Sequence, residues 1–162
     1  MPFYPIQGGF GMTKIKTGVD KPSVTEFLDS ISDDAQRTDS YTIVEMLRTA
    51  TKAEPKMWRG TIVGFDSYHY VDKDGREGDW LLVGVAPRKG TLTLYILGGW
   101  DHNAELLAKL GKHSLGNGYL LHIKRLDDVN LPVLKRLLAD SLKRAKRLAQ
   151  AEARNQAEQS KR

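Results

Sequence analysis

The chain has 162 residues, of which 40% are hydrophobic, and carries a formal charge of +5. That length fits one domain with tails, and no apolar run approaches the about 18 residues that a membrane-crossing helix needs. The chain contains no cysteine, which excludes disulfides, thiolate zinc sites and a cysteine nucleophile, and suits a reducing, cytoplasmic location.

Residues 1–20 contain four glycines and two prolines with little periodicity, and read as a loosely held arm. They lack the continuous apolar region of a signal peptide. The domain proper is expected over 21–148, and 149–162 reads as a basic, polar helical extension or tail. Ser23 to Glu26 has the form of a capping box, so a short helix is expected there, with Val24, Phe27, Leu28 and Ile31 at helical spacing. Asp33 or Asp34 caps a second helix, whose apolar face runs through Tyr41, Val44, Leu47 and Thr51 and ends before Pro55.

β-rich sequence follows Trp58. Thr61 to Val71 reads as one bent strand or two short ones. Asp74-Gly75 is a hairpin signal. Trp80 to Ala86 is a second strand, ended by Pro87, and Thr91 to Leu97 is a third. Gly98-Gly99 breaks the sheet. Asp101 is expected to cap a helix through Leu110, with Ala104, Leu106, Leu107 and Leu110 turned inward. Gly111 suits the position after that helix, where positive φ is needed. Tyr119 to Lys124 is the last strand. A long helix starts near Leu131-Pro132 and carries a stripe of Leu134, Leu137, Leu138, Leu142, Ala145 and Leu148. Its end is expected to fray or project beyond about residue 150. The order of helices, meander, then helix–strand–helix defines an α+β domain, with N- and C-terminal helices packed on one face of a mainly antiparallel sheet. One core is expected from Met57, Trp58, Val63, Phe65, Leu82, Leu94, Ile96, Leu107, Leu110, Leu121, Leu134 and Leu138.

Three segments are candidates for a site, although none is a catalytic signature. Pro55 to Trp58, Pro87 to Lys89 and Leu110 to His113 each stand at the edge of an apolar run. Arg88 and Lys89 present two cations on a tight connection, and arginine grips carboxylate or phosphate through paired hydrogen bonds. Lys112 and His113 lie in a loop with three glycines, 111, 116 and 118. Such a loop allows backbone amides to approach an anion, but it lacks the lysine placement of a Walker A loop. The more common reading is a flexible loop whose lysine caps the preceding helix. Arg88, Lys89, Lys112 and His113 are the expected anion-binding residues, provided that their two loops lie at one end of the sheet. The aromatics Trp58, Phe65, Tyr68, Tyr70, Trp80 and Tyr95 supply core packing or, beside these cations, walls on which a base stacks. The four histidines, 69, 102, 113 and 122, make no metal-binding pair by spacing. His113 is the best acid/base candidate if the protein is an enzyme, the least supported reading.

Charge is unevenly distributed. Residues 20–45 hold seven acids against two bases, and residues 124–162 hold eleven bases against five acids. The bland reading of such runs is a solvated helix face; the sharper one is an anionic partner, with Lys143, Arg144, Lys146 and Arg147 meeting nucleic acid.

In this order and at these spacings the segments resemble the YdhG-like family of small bacterial domains. The stretches that carry the likeness are Pro55 to Trp58 with Ile62 to Phe65, Ser67 to Tyr70, Gly75 to Gly78, Pro87 to Lys89 with Leu92 to Tyr95, Leu106 to His113, and Leu126 to Val129. Arg59 and the run Gly116 to Tyr119 depart from the family pattern. The resemblance implies an α+β fold of frataxin-like topology and, for some relatives, intracellular iron delivery. It brings no catalytic residues. Iron delivery would draw on Asp29, Asp33 and Asp34, since carboxylate oxygens hold iron without histidine; the ordinary reading is charge that favours helix N-termini. The leading expectation is a binding module for an anionic ligand or protein partner with no cofactor. The alternative is an iron chaperone that binds the metal weakly.

Overall fold

The computed structural model describes residues 19–20, 23–117 and 120–160. Residues 1–18 of the expected arm, and Gly118 and Tyr119 of the glycine-rich loop, lie outside the described residues. The arm reading fails at its last two residues. Val19–Asp20 forms a strand, β1, that pairs with Trp58 and Met57.

Helix α1, Val24–Asp29, begins at the expected capping box. The Glu26 amide donates to Ser23 Oγ and the Ser23 amide donates to Glu26 Oε1, both at 3.1 Å. Helix α2, Asp34–Thr51, is capped by Asp33, whose carboxylate accepts from the Gln36 amide. Val44, Leu47 and Thr51 are buried along it as expected, together with Ile43.

The sheet starts earlier than its sequence pattern implies. Pro55–Trp58 is itself a strand, β2, antiparallel to β3, Ile62–Val71. β4, Glu77–Arg88, and β5, Thr91–Ile96, continue the meander. Pro87 does not end β4 but lies inside it, opposite Leu92. The β3 ladder ends at the Val63–Val85 pair, two residues before Pro87, so the amide hydrogen that proline lacks is not required there.

Helix α3, Ala104–Leu110, is capped by Asn103 rather than Asp101: the Asn103 side chain accepts from the Leu106 amide. Leu107 and Leu110 are buried, but Ala104 is exposed. The loop after α3 contains a short strand, β6, Ser114–Gly116, that pairs with β7, Leu120–Ile123. After a 3-10 turn at Leu126–Asp128, α4 runs from Leu131 to Gln159 with Pro132 in its first turn. It continues well past the point at which the leucines stop.

Among the described residues the strands form one antiparallel sheet, ordered β1-β2-β3-β4-β5-β7-β6. α2 and α4 touch each other and both lie on β3 and β4, so the long helices share one face. All twelve expected core residues are buried in a single cluster. Trp100 joins them: it is fully buried, and its indole Nε1 donates to the Leu94 carbonyl at 3.1 Å. The alternation along β3 also holds, since the Tyr68 and Tyr70 rings lie 6.4 Å apart while His69 turns away.

His69 stands across the ladder from Asp79. Its Nδ1 is 2.9 Å from Asp79 Oδ1 and its Nε2 is 2.8 Å from Glu77 Oε1. An imidazole donates through both nitrogens only when protonated. The hydrogen bonds to Asp79 and then Glu77 outweigh burial and hold its pKa above the ordinary histidine value. A raised folded-state pKa contributes stability that is complete below the unfolded value and is lost as pH rises through the folded one. His69→Gln is therefore expected to lower unfolding stability at about pH 5.5 and to have little effect at about pH 9. Half-exposure limits the loss to roughly 0.2–1 kcal/mol. Urea midpoints at both pH values test this, and a loss that does not change with pH would contradict it.

Candidate functional site

The β4–β5 connection is a two-residue turn, Lys89-Gly90, closed by the pair Arg88 and Thr91. α2 braces it from below: Gln36 Nε2 donates to the Arg88 carbonyl. Arg88 Nη2 in turn donates to Tyr95 Oη at 3.1 Å. The turn thus presents Arg88 and Lys89 at one end of the sheet on a supported backbone.

The second segment is held differently. The Lys112 amide donates to the Asp128 carbonyl at 3.1 Å, and the Asn130 amide to the Leu110 carbonyl at 2.8 Å. Gly111 forms a bridge with Val129 between these two bonds. His113 Nδ1 lies 2.8 Å from the Gly111 carbonyl oxygen. A carbonyl only accepts, so Nδ1 carries the proton and Nε2 is the ring nitrogen left for a ligand.

Strand register brings the two segments together. Along β5, Leu92 and Leu94 are core residues. Thr91 and Thr93 alternate with them and face the other way. On β7, Leu121 and Ile123 are buried, while His122 and then Lys124 face away from the core. Thr93 pairs with His122, and His122 pairs with Ser114 of β6. The Thr93 hydroxyl is 3.0 Å from His122 Nδ1. These residues floor an open depression of about 480 Å³. Arg88, Lys89, Lys112 and His113 all line it, joined by Lys124 and Asp128. All four expected anion-binding residues therefore share one concavity.

Two expectations about its surroundings need correction. The walls are threonine, serine and histidine, with none of the expected tryptophan, tyrosine or phenylalanine rings. Trp58, Phe65, Tyr68 and Trp80 are buried, with Trp58 and Trp80 meeting edge to face at 5.9 Å. The glycine-rich loop is not a nest of free amides, because β6 occupies its middle and Gly111 lies in a bridge. Thr91, Thr93, Ser114, His122, Lys124 and Asp128 escaped sequence reading. The alternation of His122 and Lys124 with Leu121 and Ile123 is the signal that could have found two of them.

The electrostatics are one-sided. Four permanent cations, Arg88, Lys89, Lys112 and Lys124, face one carboxylate, Asp128. None of them forms an ion pair among the described residues, whereas Arg37, Arg48, Arg76, Arg125 and Arg136 all do. The acidic helices behave in the opposite way. Asp29 accepts from Tyr41 Oη at 2.6 Å, Asp33 caps α2, and Asp34 pairs with Arg37 at 2.6 Å. These three aspartates serve separate local partners, and no group of three or more metal-ligating side chains occurs among the described residues. No helix among those residues is long and apolar enough to cross a membrane.

No family model matches the chain, and no curated protein or solved structure shows significant similarity to it.

Proposed function

We propose that the protein is a binding module for a small anionic ligand, held in the depression between the β4–β5 turn and the α3–β6 segment. The observation that carries this is the convergence of four unpaired cations on one concave surface. Like charges brought together repel, and an anion offsets that cost. Sulfate is a suitable probe because it stays doubly charged at any pH near neutral. Sulfate is expected to stabilise the wild type against heat, and less so at high salt. Replacing Arg88 and Lys112 together by alanine is expected to weaken it at least about tenfold. Equal thermal shifts in both proteins would remove the shared site. The YdhG-like resemblance stands on motifs alone and supports the fold more than this ligand class. The iron-chaperone alternative draws no comparable support, since its aspartates are already engaged.

A second observation favours nucleic acid at a different surface. Arg136, Lys143, Arg147 and Arg154 are exposed on α4 and fall on one side of a 3.6-residue helix, opposite buried Leu134, Leu138 and Ala145. That row is about 27 Å long at 1.5 Å per residue, the scale of several phosphates along a strand. A duplex oligonucleotide that binds the Arg88/Lys112 double variant as well as the wild type, with a steep salt slope, would place that contact on α4. Failure of any duplex to bind would remove this second reading.

A further inference from the structure

We infer that the ligand of this depression is a phosphorylated sugar or polyol, seated with its phosphoryl group at the β4–β5 turn. The inference rests on the anion-site reading above and names the ligand class for it.

The charges in the depression are polarised. Arg88 pairs with Thr91, and one residue beyond the Leu92–Ile123 pair lie Thr91 and Lys124. Arg88 and Lys89 thus make up one pole, two cations with no carboxylate in their register, and Lys124, at the end of β7, stands between that pole and the β6 side. A phosphoryl group carries about −1.5 to −2 charges at neutral pH and three acceptor oxygens, which suits that pole better than a single carboxylate does. The opposite pole is mixed. Lys112 is joined through its amide to the Asp128 carbonyl, and both a cation and an acid line the depression from these segments. A second phosphoryl group there would meet the Asp128 carboxylate. A hydroxyl would not: it donates to the carboxylate and accepts from the ammonium.

Between the poles runs a polar floor of Thr93, His122 and Ser114 on three adjacent strands. Two strand spacings make that row about 10 Å long, longer than inorganic phosphate and on the scale of a phosphorylated sugar. Hydroxyl and imidazole groups both donate and accept, as a polyol requires. The lining holds no tryptophan, tyrosine or phenylalanine, so a nucleobase finds only the smaller imidazole rings to stack on. A cavity of about 480 Å³ has room for such a molecule with water.

Calorimetric titration with inorganic phosphate, ribose, ribose phosphate and adenosine monophosphate tests this. Ribose phosphate is expected to bind at least about tenfold more tightly than phosphate, with ribose alone undetected and the adenine adding less than about threefold. Asp128→Ala is expected to erase most of the advantage of ribose phosphate while leaving phosphate unchanged or slightly tighter. Arg88→Ala is expected to weaken both. Thermal unfolding of each variant reports that it is folded. Phosphate binding as tightly as ribose phosphate, or an Asp128→Ala protein that keeps the full ratio, would overturn the polyol inference and leave the anion site standing. Adenosine monophosphate binding much more tightly than ribose phosphate would replace it by a nucleotide. No binding of any phosphate, or binding indifferent to Arg88→Ala, would overturn both readings.

Discussion

Trp100→Ala is expected to lower the unfolding free energy by about 3–5 kcal/mol, the range for deleting a large buried aromatic side chain. Gly98 and Gly99 take φ of +92° and +77° after β5, and the Gly99 amide donates to the Ile96 carbonyl. This reversal returns the indole to the core, where it is fully buried. Removing it leaves a cavity in the core that can only partly collapse. Trp100→Phe separates the two contributions. It keeps most of the ring and loses the Nε1 hydrogen bond to Leu94, so a loss of about 1–2 kcal/mol is expected. Urea unfolding followed by far-UV circular dichroism reads both. A loss below about 1 kcal/mol for the alanine variant would show that the indole is not a core element.

The elements legible in the sequence are those fixed by short-range chemistry. Ser23 and Glu26 satisfy each other's amides within one turn, so the start of α1 needs no tertiary information. The leucines of α4 expose their period directly, the apolar runs of β3 to β5 mark strands, and the core expected from them is buried. The misreadings share a cause, which is that long-range contacts decided them. β2 opens on a proline and closely follows a helix, and it is a strand because β1 and β3 flank it. β6 is three residues inside a glycine-rich loop and exists through pairing with β7. Trp100 follows two glycines, a signal that ends a strand but does not show where the chain goes next.

The site divides in the same way. Two basic turns stand out as local sequence, and Arg88, Lys89, Lys112 and His113 do meet in one depression. Its floor was not legible, because Thr93, His122 and Ser114 become neighbours only when β7 inserts between β5 and β6. The acidic residues show the reverse. Asp29, Asp33 and Asp34 look like a cluster in sequence, but a tyrosine, a helix amide and an arginine take them singly.

Gly111→Ala is expected to destabilise the protein by roughly 2–4 kcal/mol, combining backbone strain with a packing clash. Gly111 has φ of +110°, where side chains are strained, and an added Cβ would stand 2.5 Å from the Asp128 carbonyl oxygen. That oxygen is main chain and accepts from the Lys112 amide, so it has no free end that can swing aside. Relief requires separating the α3–β6 segment from the 3-10 turn. Such a shift moves Lys112 away from Asp128 and displaces the Gly111 carbonyl that orients His113. Loss of stability and loss of anion binding should therefore appear in one variant, with phosphate affinity down at least about tenfold. Gly90→Ala is the matched control. Gly90 also has positive φ, +76°, but a Cβ there meets nothing within 4 Å. Only the conformational cost remains, about 1–2 kcal/mol. Urea unfolding and phosphate titration of the two variants decide between these outcomes. Equal destabilisation would mean that the contact with Asp128 yields freely. A Gly111→Ala protein that binds phosphate like the wild type would show that the bridge to Val129 does not position the site.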